Sequence, residues 1–138
     1  MNNLERFISA QDICYDNVIK ELYEGKKKTH WIWFIFPQCV GLGKSYNSCK
    51  YAIKSQQEAI DYLNNETLKY RLITCCEFLL NSKTKNISQI LTPPDDLKLK
   101  SSLTLFLNVK PNYIIFKNLL IKYFDNKECT KTREFLKL

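Results

Sequence analysis

The sequence predicts an all-α protein, a compact multihelical single domain over residues 1–138. Three observations carry that expectation. Glycine (3) and proline (4) are too scarce in 138 residues for the many tight turns of an all-β sandwich. Apolar residues recur at spacings of three, four and seven, which places them on one face of a helix. Helix-boundary signals also stand where those stripes begin and end, as with Gly25 after the first stripe and Ser55 with Glu58 before another.

In chain order, Leu4, Phe7, Cys14, Val18 and Leu22 predict a helix over residues 3–24, with Gln11 in the middle of its apolar face. An amide there is either satisfied by a backbone group or directed into a pocket. The block Trp31 to Phe36 follows. Six apolar residues in a row cannot be assigned to helix or strand by periodicity. If they are helical, Thr29 caps them and Pro37 ends them. Gly41 and Gly43 predict a loop, and Ser45 the start of a short helix through Tyr51 and Ala52. The capping box Ser55-Gln56-Gln57-Glu58 opens a helix carrying Ala59, Ile60 and Leu63.

Residues 66–81 predict another amphipathic helix, with Leu68, Leu72, Cys75, Cys76, Leu79 and Leu80 inward. A polar loop over 81–86 leads to a brief turn around 87–91. Pro93 and Pro94 before Asp95 and Asp96 predict a helix start, because proline suits the first turn and carboxylates suit its dipole. That helix continues through Leu107, with Lys98, Ser101, Ser102 and Leu105 on one face. Pro111 opens a helix to about Phe124, and a last amphipathic segment reaches Leu138.

Composition excludes several function classes. Hydrophobic residues at 45% and charged residues at 25% are ordinary for a globular domain. The longest apolar run is far short of the roughly 20 residues that cross a bilayer. Six cysteines without a CxxC pair, and with a single histidine, do not have the ligand spacing of a zinc site. They predict reduced thiols and a cytoplasmic protein. The net charge of +7 suits an anionic partner. Nucleic acid is disfavoured, since the basic residues are scattered, the aromatics follow burial patterns and no known motif is present.

The segment Thr29 to Ser45, THWIWFIFPQCVGLGKS, is where polar residues crowd against the most apolar stretch of the chain. Together with RFISAQ, KYAIKSQQEAIDYL and PPDDLKLKSSLTLF, it resembles the family known as domain of unknown function 1810, over about Arg6 to Phe124. The resemblance implies a compact multihelical fold and leaves the chemistry open. The family's signature positions fall here on Arg6, Gln11, His30, Trp31, Trp33, Pro37, Gln38, Gly41, Gly43, Ser45, Tyr51, Asp95, Lys98, Ser101, Ser102 and Thr104.

Burial of the two tryptophans is expected to draw His30 and Gln38 at least partly inside, where each needs a partner. His30 is the candidate catalytic residue, since imidazole alone titrates near neutrality; it could equally be a core group bonded to a carbonyl. Gly41 to Ser45, GLGKS, lacks the first glycine of a phosphate-binding loop, because that position is Gln38. Its glycines and serine still suit an anion through free backbone N–H groups, or simply form a capped turn. Lys98, Ser101 and Ser102 supply one cation and two hydroxyls to one face, unless Lys98 pairs with Asp95 one turn back.

The expected function is therefore a polar pocket for an anionic small molecule, such as a nucleotide or phosphorylated metabolite. Gln11, Trp33, Gln38, Gly41, Gly43, Ser45, Lys98, Ser101 and Ser102 would line it, with His30 available for catalysis. No metal or cofactor is called for. The alternative is a protein-interaction module whose signature residues only hold the fold together.

Overall fold

The chain is seen here as a computed structural model that describes residues 3–138. Among them run eight α-helices and no strand: α1 (Glu5–Glu24), α2 (Ile32–Ile35), α3 (Tyr46–Lys50), α4 (Gln56–Asn64), α5 (Glu66–Leu80), α6 (Asp95–Val109), α7 (Ile114–Phe124) and α8 (Thr130–Phe135). A 3-10 turn, Ile87–Gln89, precedes α6. Helix α6 is the middle of the molecule. It packs on α4, α7, α8 and α2, while α5 bridges α1, α4 and α7. From Leu99 to Phe106 every residue of α6 is buried apart from the half-buried Lys100, because neighbours surround the helix.

The boundary signals act as expected at several ends. Gly25 closes α1 with φ +84°, a left-handed conformation that suits glycine. Ser45 caps α3 by accepting from Ser48 N–H, and Ser55 caps α4 by accepting from Glu58 N–H at 3.0 Å. Asn65 serves twice, ending α4 and capping α5 through Leu68 N–H at 3.0 Å. Helix α7 begins three residues after Pro111, since a turn closed by Tyr113 N–H on Lys110 O comes first.

The aromatic block resolves as one helical turn. Phe36 N–H reaches Ile32 O at 2.9 Å, and Pro37 prevents continuation. Trp31, not Thr29, takes the N-cap position of α2, and its side chain caps nothing. The hydroxyl of Thr29 is engaged elsewhere, donating to Glu21 Oε2 at 2.6 Å. Extended pairing does occur just after Pro37. Cys39 and Ile53 form a parallel bridge, in which Ile53 N–H donates to Gln38 O at 2.8 Å and Val40 N–H to Ile53 O at 2.9 Å.

The core is continuous from Phe7 on α1 through Trp31, Phe36, Tyr62 and Phe106 to Phe116 on α7. Tyr62 meets Phe7 edge-on at 5.2 Å, and Phe106 lies 5.2 Å from Tyr62 and 5.9 Å from Phe116. Such ring pairs add about 0.5–1.5 kcal/mol each to the burial of their area. Cys75 and Cys76 are both fully buried although adjacent, because α5 has partners on two sides. Burial pushes the Cys75 thiol up to about 12 and raises Cys76 as well. All six cysteines are free.

Candidate functional site

A charged cluster lies where α2, the start of α6 and the loop before α2 meet. Lys98, on the first turns of α6, holds its Nζ 5.0 Å from the centre of the Trp33 ring and 3.4 Å from Asp95 Oδ1. Lys27 reaches the other oxygen of the same carboxylate, Asp95 Oδ2, at 2.8 Å and lies 5.3 Å from the Trp31 ring. The Lys27, Asp95 and Lys98 side chains are only 8%, 17% and 22% exposed. Two cations thus share one anion on a partly desolvated aromatic floor, which leaves a residual positive charge.

The Gly41–Ser45 loop joins this cluster through Trp33, whose indole N–H donates to Ser48 Oγ at 3.1 Å. Ser45 Oγ lies 2.9 Å from Ser48 Oγ. The two glycines have different reasons. Gly41 has φ +96°, where an L side chain is strained. At Gly43 a Cβ would stand 2.6 Å from Ser48 Cβ, so only glycine lets the loop lie against Ser48 and, through it, Trp33.

The remaining expected residues lie elsewhere. Gln11 is fully buried, donating to Phe34 O at 2.7 Å and Tyr62 Oη at 3.1 Å and accepting from Arg71 Nη1 at 3.4 Å. It clamps α1 to α2 and α4. His30 is exposed, contrary to the expectation that the tryptophans would carry it inside, and no described residue hydrogen-bonds with it. The chain turns between His30 and Trp31, so only the ring of Trp31 goes into the core. Gln38 is half-buried; its backbone carries the bridge to Ile53, and its amide has no partner among the described residues.

Ser101 and Ser102 do not face Lys98's neighbours together. Ser101 Oγ shares its proton between Leu97 O at 3.1 Å and Cys129 Sγ at 3.3 Å, towards α8. Ser102 Oγ is 1% exposed by residue and has no hydrogen-bond partner among the described residues. An unpaired buried hydroxyl costs roughly 1–3 kcal/mol, so Ser102→Ala is expected to leave stability unchanged or raise it by about 1 kcal/mol. Thermal unfolding checks this, and a loss above about 1 kcal/mol would mean that the hydroxyl has a native partner.

Sequence reasoning missed Glu21, which organises the approach to Trp31. Its carboxylate accepts from Lys28 N–H at 2.6 Å, Thr29 N–H at 3.0 Å, Thr29 Oγ1 at 2.6 Å and Trp31 Nε1–H at 2.9 Å. Burial alone would raise its pKa, but the donors from Thr29, Lys28 and Trp31 outweigh burial and pull it down to about 2. The signal was available, since Glu21 falls three residues after Val18 on the apolar stripe of α1. Lys27 was also missed, as a lysine run reads as solvated surface.

A second chemical feature lies at α8. Burial would raise the Cys129 thiol, but the Ser101 and Thr132 hydroxyls and the Thr132 and Lys131 N–H groups bring it below its ordinary value. Burial raises Cys39, against a smaller opposing effect of Thr132. Among the described residues, no three His, Cys, Asp or Glu side chains are placed to share a metal ion. None of the expected site residues lines the open clefts of about 790, 490 and 520 Å³ that run along α5.

The family model described as protein of unknown function DUF1810 matches residues 1–136. The chain belongs to the DUF1810 family. Its structure is similar to the 1.38 Å crystal structure of the conserved hypothetical protein Rv1873 from Mycobacterium tuberculosis. The two share 41% identity and a TM-score of 0.95, over 98% of this chain and 96% of that one. No curated protein matches the chain. The multihelical DUF1810 fold expected from the resemblance is therefore shown, and no helix among the described residues is long and apolar enough to cross a membrane.

Proposed function

We propose that the protein, as one domain over residues 1–138, is a cytoplasmic binder of an anionic small molecule such as a nucleotide or phosphorylated metabolite. The observation that carries this reading is the single Asp95 carboxylate shared by Lys27 and Lys98 beside Trp33. A phosphate placed against Lys98 would complete the charge balance, and an indole edge and the Ser45 hydroxyl would border it. His30, exposed beside Trp31, is the group that would move a proton if the ligand is altered as well as bound.

A thermal-shift screen against nucleotides and phosphorylated metabolites tests the proposal, because a ligand of the native state raises its apparent stability. Lys98→Ala is expected to weaken the hit by the worth of a charge-assisted contact, roughly 1.5–3 kcal/mol, with an unchanged far-UV spectrum. No stabilising ligand, or undiminished binding by the variant, would end the anion reading.

One observation favours the second reading, a protein-interaction module. The clefts along α5 are bordered by the exposed side chains of Tyr23, Tyr70 and Ile114. Substitution of Tyr70 would then impair association and leave small-molecule binding untouched.

A further inference from the structure

Two cysteines far apart in the chain both reach α8 where it packs against α6, Cys39 through Thr132 and Cys129 as its N-cap residue. The Cys39 thiol lies 4.0 Å from Thr132 Oγ1, and Thr132 is the third residue of α8, whose N-cap position is Cys129. Ser101 Oγ stands 3.3 Å from the Cys129 sulfur. The two thiols differ in access. Cys39 is 2% exposed and Thr132 fully buried, whereas Cys129 is only partly covered. Neither thiol has a part in the Lys98 cluster.

We infer that Cys129 and Cys39 form a redox pair in which a hydroperoxide oxidises Cys129 and Cys39 closes the product into an intramolecular disulfide. In the first step the Cys129 sulfur attacks one peroxide oxygen. The S–O bond forms as the O–O bond breaks, and the other oxygen leaves as water or an alcohol after taking a proton. Sulfur is oxidised by two electrons to the sulfenic acid and the peroxide is reduced. In the second step the Cys39 sulfur attacks that sulfur, and the hydroxyl leaves with the Cys39 proton as water. Two thiols and one hydroperoxide thus give one disulfide, one alcohol or water, and one water.

The surroundings suit those unequal roles. An accessible thiol whose sulfur accepts from Ser101 is the better first nucleophile. A thiol buried in apolar surroundings is protected from external oxidant and reacts only with what is brought to it. Each thiol must turn from its present partner, Cys39 from Thr132 and Cys129 from Ser101, before the bond of about 2.05 Å can form.

The test uses the whole chain, reduced and then freed of reductant, with one equivalent of hydrogen peroxide followed by alkylation and a non-reducing tryptic map. The expected result is loss of two of the six thiols and one cross-link joining peptides 29–44 and 128–131. Dithiothreitol restores both thiols. Cys129→Ser should abolish the cross-link and leave Cys39 reduced, while Cys39→Ala should accumulate a dimedone-reactive sulfenic acid at Cys129. The wild-type map decides the matter even if a variant fails to fold. Oxidation falling first on the exposed Cys49, a cross-link through any other cysteine, or sulfinic acid at Cys129 with Cys39 still free would overturn the inference.

Discussion

Glu58→Ala is expected to destabilise the protein by about 3–5 kcal/mol, the range for breaking one side of a buried ion pair. Arg6 and Glu58 meet fork to fork, Nη2 to Oε1 at 3.0 Å and Nη1 to Oε2 at 3.2 Å, with side chains only 6% and 3% exposed. The guanidinium also donates to Lys50 O and Ala52 O, both at 2.8 Å, and to Asn3 O. Glu58 Oε1 further accepts from Lys54 N–H at 3.0 Å. Arg6 therefore sews α1 to the segment between α3 and α4, and loss of Glu58 strands a buried cation among carbonyls. Arg6→Lys should also lose much of this stability, because an ammonium cannot occupy both forks and the two carbonyls at once. Urea unfolding measures both variants. A change below about 1 kcal/mol for Glu58→Ala would show that the pair is far more hydrated than its burial implies.

Acid should remove a second large contribution, through Glu21. Its carboxyl titrates at about 2 in the folded protein against 4.5 ordinarily. A lowered folded pKa means that the stabilisation is complete above about pH 4.5 and is lost as pH falls towards 2. That difference corresponds to roughly 3–3.5 kcal/mol. Glu21→Gln should lose a similar amount at neutral pH, since an amide oxygen is a weaker acceptor for its four donors. The variant's stability should also depend less on pH between 4.5 and 2. Unfolding curves at a series of pH values check this, and wild-type and variant curves that run parallel through that range would exclude the role given to Glu21. Because Trp31 Nε1–H is one of the donors, its fluorescence should report the same transition.

Much of the fold was legible because helices advertise themselves locally. The stripe from Phe7 to Leu22, the caps at Ser45 and Ser55 and the glycine at 25 are short-range patterns, and each acts in the structure as its chemistry predicts. The Trp31–Phe36 block was not legible, since apolar content is compatible with helix or strand and only Pro37 and the Cys39–Ile53 bridge divide the two. The candidate site was legible in part. Trp33, Gly43, Ser45 and Lys98 do converge, through Ser48 in the case of the loop. Gln11 is fully occupied within the α1–α2–α4 junction, and Ser101 turns towards Cys129.

By itself the sequence determined the helical class, most helix boundaries and the crowding of polar groups around the aromatic block. These follow from periodicity and capping, which act over a few residues. Only the tertiary structure decided which polar groups meet. Helix α6 is enclosed on nearly every side, so the face shared by Lys98, Ser101 and Ser102 in sequence is divided among different neighbours. Lys27 joins Asp95 and Lys98 because Glu21 gathers the backbone of Lys28 and Thr29. Cys39 reaches Thr132 because α8 folds back on α6. Those pairings are long-range, set by how helices stack, and no local pattern encodes them.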